Sequence, residues 1–297
     1  MTDQPQLPFG GDWTEEKLRA VRAYLAAYVN VMKNQPFATT YIDAFAGTGT
    51  VALRDVDDSG EPLFPELANE EAGRYLVGSA RLALEVSPPF QEYLFIEQSG
   101  GNVTQLEAMT REFPELRNRI SIEKDEANRR VQAICADWDW RSHRAVLFLD
   151  PFGMQVEWAT IEAVAATKAI DLWYLFPIGA VCRCMPRSGR PPEGWEDRID
   201  SVLGTPDWRD LFYAVSQSQT LLGEESCLAR TATYRDVCEF FTQRLRGAFA
   251  DAVASDEPLR NGRGSPMFLL FFAVANPSEK AREIAIRIAS HILKMKG

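Results

Sequence analysis

Residues 39–52 read TTYIDAFAGTGTVA. Thr39 to Phe45 is a short run rich in β-formers, and Ala46-Gly47-Thr48-Gly49 directly behind it is a glycine turn. A strand that runs straight into such a turn marks the carboxyl end of a strand in an open parallel sheet, which is where these sheets bind ligands. The spacing Gly47-x-Gly49-x-x-Ala52 also fits a dinucleotide fingerprint, so the glycines alone do not choose the ligand. Asp43 does. A pyrophosphate turn relies on unopposed N–H groups, and a carboxylate beside it repels phosphate. A sulfonium or ammonium ligand is attracted by the same carboxylate.

Working outward, strands alternate with helices. Candidate strands are Glu92 to Ile96, Arg119 to Lys124, Ala145 to Leu149 and Ile170 to Phe176, with helices expected at Ser79 to Glu85, Val103 to Phe113, Glu126 to Ala136 and Glu157 to Thr167. This alternation predicts a mainly parallel sheet covered on both faces, a Rossmann-like α/β fold. Before it, Leu18, Val21, Leu25, Tyr28, Val29 and Met32 repeat at helical spacing, with Thr14 as the expected cap and Pro36 as the stop. Beyond Pro177 the alternation ceases. Residues 178–262 read as helices and loops elaborating one edge, with short helices at Trp195 to Leu203 and after Thr205. Residues 263–297 read as a closing edge strand, Met267 to Ala275, and a final helix from Glu279 to Lys296. Ala250 to Ala254 and that strand flank a turn-rich segment, which predicts a hairpin at the sheet edge.

Three further acids and one short motif fall at predicted strand ends. Glu97 ends the second strand, where a ribose diol can be held, and Asp125 follows the third, where it can meet an adenine amine. Asp150-Pro151-Phe152-Gly153 ends the fourth strand, beside the first. An exocyclic base amine is a poor nucleophile because its lone pair is delocalised. A carboxylate and a carbonyl that accept its two N–H hydrogens return density to nitrogen, and an aromatic ring can hold the base by stacking. Asp150, the Pro151 carbonyl and Phe152 have that chemistry.

The two loops resemble those of class I S-adenosylmethionine-dependent methyltransferases, in particular amino-directed DNA and RNA enzymes, whose loops read D-x-F-x-G-x-G and [DN]-P-P-[FYW]. The wider pattern WTEEKL, YIDAFAGTG, GSARLAL, FIE and LFLDPFGMQVEW resembles the three-Cys-motif partner (TcmP) family over residues 13–158. The resemblance implies a mainly parallel seven-stranded sheet. It sets Asp43, Ala46, Gly47 and Gly49 around S-adenosylmethionine, Glu97 on its ribose, and Asp150 to Phe152 at the acceptor. It places Trp13 and Lys17 near the methionine carboxylate. The loop departs from the family pattern in having its aromatic one place early, D-P-F-G, which leaves room for a non-catalytic methyltransferase-like protein that binds the cofactor or a partner.

The chain of 297 residues carries a formal charge of −10, with 46% hydrophobic and 25% charged residues, a balance that supports a folded core and excludes a basic nucleic-acid coat. Seven acids and no base lie in residues 55–73, so the acidity is local. In contrast, Arg183, Arg187 and Arg190 follow the fifth strand in a loop, Cys182 to Pro192, without an acid. Arg260 and Arg263 lie in the turn of the predicted hairpin. These five arginines are candidate contacts to substrate phosphates. No stretch is apolar enough to span a bilayer, and the five scattered cysteines suit reduced thiols, so a soluble cytoplasmic protein is expected. With only two histidines in the chain, no metal is expected.

Overall fold

The computed structural model of the chain describes residues 12–47, 78–220, 223–261 and 264–294, with the side chains of 12–17 and 216–225 outside that description. In chain order the elements are α1 (Asp12–Met32), β1 (Ala38–Asp43), α2 (Ser79–Leu84), β2 (Glu92–Glu97), α3 (Gly100–Thr110), β3 (Ile120–Lys124), α4 (Ala127–Asp137), β4 (His143–Leu149), α5 (Trp158–Ala166) and β5 (Ile170–Phe176). They continue with α6 (Ile178–Cys184), α7 (Glu193–Leu203), α8 (Trp208–Phe212), β6 (Tyr213–Thr220), β7 (Gly223–Arg230), α9 (Tyr234–Ala248), β8 (Asp251–Ala254), β9 (Leu259–Arg260), β10 (Pro266–Val274) and α10 (Glu279–Lys294).

The main sheet runs β3-β2-β1-β4-β5-β10-β8, with β9 pairing on β10. β1 to β5 are mutually parallel, and β10 is antiparallel to both β5 and β8. A central glycine-turn strand, helices on both faces and one reversed strand near the edge make this the Rossmann-like class I methyltransferase fold. β10 lies inside the sheet, between β5 and β8, so the outer position falls to β8 and not to the strand expected to close the edge.

Pleating sends alternate residues to opposite faces, and both faces are buried. Ile42, Leu94, Leu147 and Leu172 point into the layer under α4, α5 and α9. Tyr41, Phe95, Phe148 and Trp173 point into the layer under α1, α2 and α10. Both sides need apolar cover, which is why the central strands are continuous apolar runs.

Several expectations are corrected. α1 begins at Asp12, so Thr14 lies within the first turn instead of capping it. The segment after β5 is not all loop, because Ile178 to Cys184 forms α6, a short helix buried on most sides. α6 packs directly on the start of β10: a Cβ on Gly179 would stand 2.5 Å from the Pro266 carbonyl oxygen, so only glycine allows this approach. The short helix expected after Thr205 begins three residues on. The Thr205 hydroxyl accepts the Asp207 N–H at 3.2 Å and α8 starts at Trp208. Region 178–262 also contains the two-stranded antiparallel hairpin β6–β7 where only helices and loops were expected. Trp138 and Trp140 stack at the amino end of β4.

Candidate functional site

The site is built where β1, β2 and β4 end side by side. Asp43, the last residue of β1, stands opposite Phe95 of β2 and Phe148 of β4. It is fully buried. Its Oδ1 accepts the Phe45 N–H at 3.2 Å, and its Oδ2 accepts the Tyr41 hydroxyl at 3.4 Å. The carboxylate therefore shapes the turn that follows it. The turn is stitched to both neighbouring strands: Ala44 N–H donates to the Phe148 carbonyl at 3.2 Å and Ala46 N–H to the Ile96 carbonyl at 3.1 Å. Gly47 adopts a left-handed φ of 62°, which its lack of a Cβ permits. Its N–H donates to Glu97 Oε2 at 2.9 Å. Gly49 and the Lys17 side chain lie outside the described residues. The backbone of Lys17 belongs to the first half of α1, whose other end packs at the amino ends of the strands.

Glu97 and Asp125 are both held by the chain itself. Glu97 Oε1 accepts the Ser99 N–H at 2.8 Å, so each of its oxygens has a backbone donor. Asp125 Oδ1 accepts the Glu126 N–H at 2.6 Å and also pairs with Arg129. The Gly47–Glu97 bond is not visible in sequence, because its partners are brought together by the fold, whereas the partners of Asp125 lie one and four residues along the chain.

Asp150 is 3% exposed and Pro151 is buried, whereas Phe152 is 44% exposed. Gly153 turns the chain with φ 62°. Tyr41 lies near both Asp43 and Asp150, and burial followed by the Asp43 and Asp150 charges pushes its phenol well above the usual tyrosine range. Two buried carboxylates, Asp43 at the end of β1 and Asp150 just past β4, thus both act on Tyr41, with Glu97 at the end of β2.

The loop that follows Asp150 hangs on a residue the sequence reading did not single out. Asn128, in the first turn of α4, donates Nδ2 to the Gln155 carbonyl at 2.9 Å. Its Oδ1 accepts the Glu157 N–H at 3.0 Å and the Thr160 hydroxyl at 2.9 Å. Gln155 Oε1 in turn accepts the Phe152 N–H at 3.0 Å. The signal was present: Asn128 shares a helix face with Val131 and is buried, a polar side chain in an apolar stripe. Asn128→Leu leaves the Gln155 carbonyl and the Glu157 N–H without partners. We expect it to destabilise the fold by about 1–3 kcal/mol, read from the midpoint of urea unfolding.

Four of the five arginines belong to the described residues. Arg183, Arg187 and Arg190 are exposed along one stretch after β5, and that stretch is tied to β7 by Gly189 N–H to the Leu228 carbonyl at 2.8 Å. Arg260 is turned onto its own hairpin. Its Nη1 donates to the Gly264 carbonyl at 2.9 Å, and its Nη2 lies 3.4 Å from Glu257. Arg263 lies outside the described residues.

Among the described residues no group of three or more His, Cys, Asp or Glu side chains could hold a metal ion. The five cysteines are free thiols. No described helix is long and apolar enough to cross a membrane.

No family model matches the chain, and no curated protein matches it. Solved structures do resemble it. A protein from Legionella pneumophila str. Philadelphia 1 is 11% identical over 95% of this chain and 92% of its own, with a TM-score of 0.47. A magnesium protoporphyrin IX methyltransferase from Synechocystis PCC 6803 with bound SAM is 13% identical over 77% and 87%, TM-score 0.33. A Clostridium thermocellum protein described as an rRNA methylase is 11% identical over 69% and 94%, TM-score 0.32. The strand order and the reversed β10 of this chain carry its fold without them.

Proposed function

We propose that the chain is an S-adenosylmethionine-dependent methyltransferase whose acceptor is an exocyclic amine of a nucleic-acid base. One observation carries the reading: Asp43 and Asp150, both buried, close with Glu97 around a left-handed glycine turn at the carboxyl ends of adjacent strands. Such a concentration of negative charge suits a ligand with a sulfonium and an ammonium, and disfavours a pyrophosphate.

In this reading Asp43 supplies charge and holds the turn, while Ala46, Gly47 and Gly49 let the backbone approach the ligand. Glu97 takes the ribose hydroxyls, Asp125 the adenine amine, and Lys17 the methionine carboxylate. Bound S-adenosylmethionine supplies a methyl group on a positively charged sulfur. Asp150 and the Pro151 carbonyl accept the two N–H hydrogens of the acceptor amine, aim its lone pair and exclude water from it. Asp150 would take the proton that the acceptor nitrogen sheds on methylation. The exposed ring of Phe152 stacks on the base, and Arg183, Arg187 and Arg190 meet its phosphates. Residues 1–177 form the cofactor half, 178–262 an elaboration of the recognition edge, and 263–297 complete the same domain. Reduced thiols fit a cytoplasmic setting.

The state of Glu97 and Asp125 favours one second reading. Their oxygens already accept N–H groups of the chain, which fits a methyltransferase-like protein that serves a protein partner, as the resemblance to three-Cys-motif partners also suggests.

Calorimetry with S-adenosylmethionine, S-adenosylhomocysteine and NAD tests the cofactor, and radioactive methyl transfer to RNA, DNA, protein and metabolite pools tests the reaction. Heat with the first two ligands and label in nucleic acid are expected. Heat with NAD alone overturns the cofactor assignment. Cofactor binding without label in any pool replaces the enzyme by the partner protein.

A further inference from the structure

At the opposite end of the sheet, α1, α10 and the amino ends of β4 and β5 enclose a second cavity, of about 290 Å³. Val31, Met32, Ile284 and Ile288 line it with apolar surface. Its polar groups are unusual for a packing gap. Arg144 Nη1 donates to the Trp140 and His143 carbonyls at 2.7 and 2.6 Å, and its guanidinium lies 3.8 Å from the Phe37 ring centre. Among the described residues it makes no ion pair in direct contact, and the Asp171 carboxylate on the same cavity acts on it across the gap. Tyr28, 8% exposed, lines the same cavity, and its hydroxyl makes no hydrogen bond to the described residues and stays open to the cavity instead of being sealed in the core. Among the described residues, a half-buried cation with no carboxylate in contact and a hydroxyl that opens to the cavity beside it together offer two donors to an anion.

We propose that this cavity binds a small amphipathic carboxylate, with its carboxylate on Arg144 and Tyr28 and its apolar body along Val31, Met32, Ile284 and Ile288. Every residue named belongs to the described part of the chain, and the site lies at the far end of the strands from Asp43 and Asp150. The proposal is independent of the methyltransferase reading.

The charged and titratable groups lining the cavity are Tyr24 and Tyr28 from α1, Arg144 from β4, Asp171 from β5 and Lys280 from α10. Lys280 adds positive charge at the rim. Asp171 opposes an anion. Its Oδ2 accepts the Tyr24 hydroxyl at 2.6 Å, and burial pushes its carboxyl up to about 7. Below that pH Asp171 is neutral and its repulsion of a bound carboxylate disappears, so binding tightens on acidification. By linkage, a bound carboxylate holds the Asp171 proton more firmly, and binding takes up protons near neutrality.

The test uses the full chain and three probes that share an eight-carbon body: octanoate, octylamine and octanol. Titration calorimetry at pH 6 and pH 8 is expected to rank octanoate first, with octanoate at least about fivefold tighter at pH 6. Asp171→Asn is expected to remove that pH dependence, and Arg144→Gln to weaken octanoate by at least about tenfold. Ala281→Trp, which fills the cavity from α10, is expected to abolish binding. The ranking and the pH effect need only the unaltered protein, so a variant that fails to fold does not remove the test. Equal or tighter binding of octylamine or octanol overturns the proposal. So does octanoate binding that survives Ala281→Trp, or no binding of octanoate at either pH. Octanoate binding in Asp43→Ala is expected to be unchanged, which separates this site from the cofactor site.

Discussion

Asp43→Ala is expected to abolish S-adenosylmethionine binding, weakening it by at least about 100-fold, or roughly 3 kcal/mol. Two losses combine. The first is structural: the Phe45 N–H and the Tyr41 hydroxyl lose their acceptor, and a buried unpaired donor costs about 1–3 kcal/mol, so the turn no longer presents Gly47 in its left-handed conformation. The second is electrostatic, because the methyl side chain offers a sulfonium and an ammonium nothing. Asp43→Asn separates them. It keeps an oxygen for Phe45 N–H but carries no charge, so binding intermediate between wild type and Asp43→Ala is expected. Titration calorimetry reads both variants, with circular dichroism showing that each remains folded. Wild-type affinity in Asp43→Ala would remove Asp43 from the site.

Asp150→Ala is expected to leave cofactor affinity within about threefold of wild type while lowering methyl transfer to the acceptor identified by labelling by about 10³-fold or more. The split follows from position. Asp150 follows β4 directly, whereas the glycine turn proposed for the cofactor is held by Asp43, by β4 backbone and by Glu97, none of which the substitution removes. Asp150→Asn still accepts one amine hydrogen but cannot take the proton, so its rate should lie between the two. Single-turnover transfer of labelled methyl measures the chemical step apart from binding. Full activity in Asp150→Ala would assign the amine to another group. Loss of cofactor binding would place Asp150 in the cofactor site.

The elements that were legible in sequence are those whose residues answer to a local rule. β5 is read without error, Ile170 to Phe176, because Leu172 to Phe176 is the continuous apolar run of a strand buried on both faces. α4 is displaced by a single residue, because Glu126 accepts the Asn128 and Arg129 N–H groups as its cap and so stands just outside the helix. β6 and β7 were hidden for the converse reason. Ser, Gln and Glu fill much of them, Val215 is exposed, and backbone pairing holds them together without an apolar face that a pattern could reveal. α6 has only seven residues and is buried on most sides, so it shows no amphipathic period. At the site, topology told which loops meet, since β1 and β4 had to be neighbours. The bonds from Gly47 to Glu97 and from Asn128 to the Gln155 and Glu157 backbone join residues far apart in the chain, and no spacing rule encodes them.

The reversed strand β10 also sets a schedule for the chain as it is made. β5 is complete at Phe176, yet the strand that covers its outer edge begins only at Pro266. At common rates of synthesis, about ninety intervening residues take roughly 5–20 s to emerge. For that interval the nascent sheet presents the unpaired backbone and apolar side chains of Trp173 and Leu175 along an open edge, a template for pairing with other chains. Ribosome-associated chaperones should therefore engage this protein after β5 and let go only once β10 has emerged. A premature stop before Met267 would leave a nearly whole protein that aggregates rather than one that is merely less active.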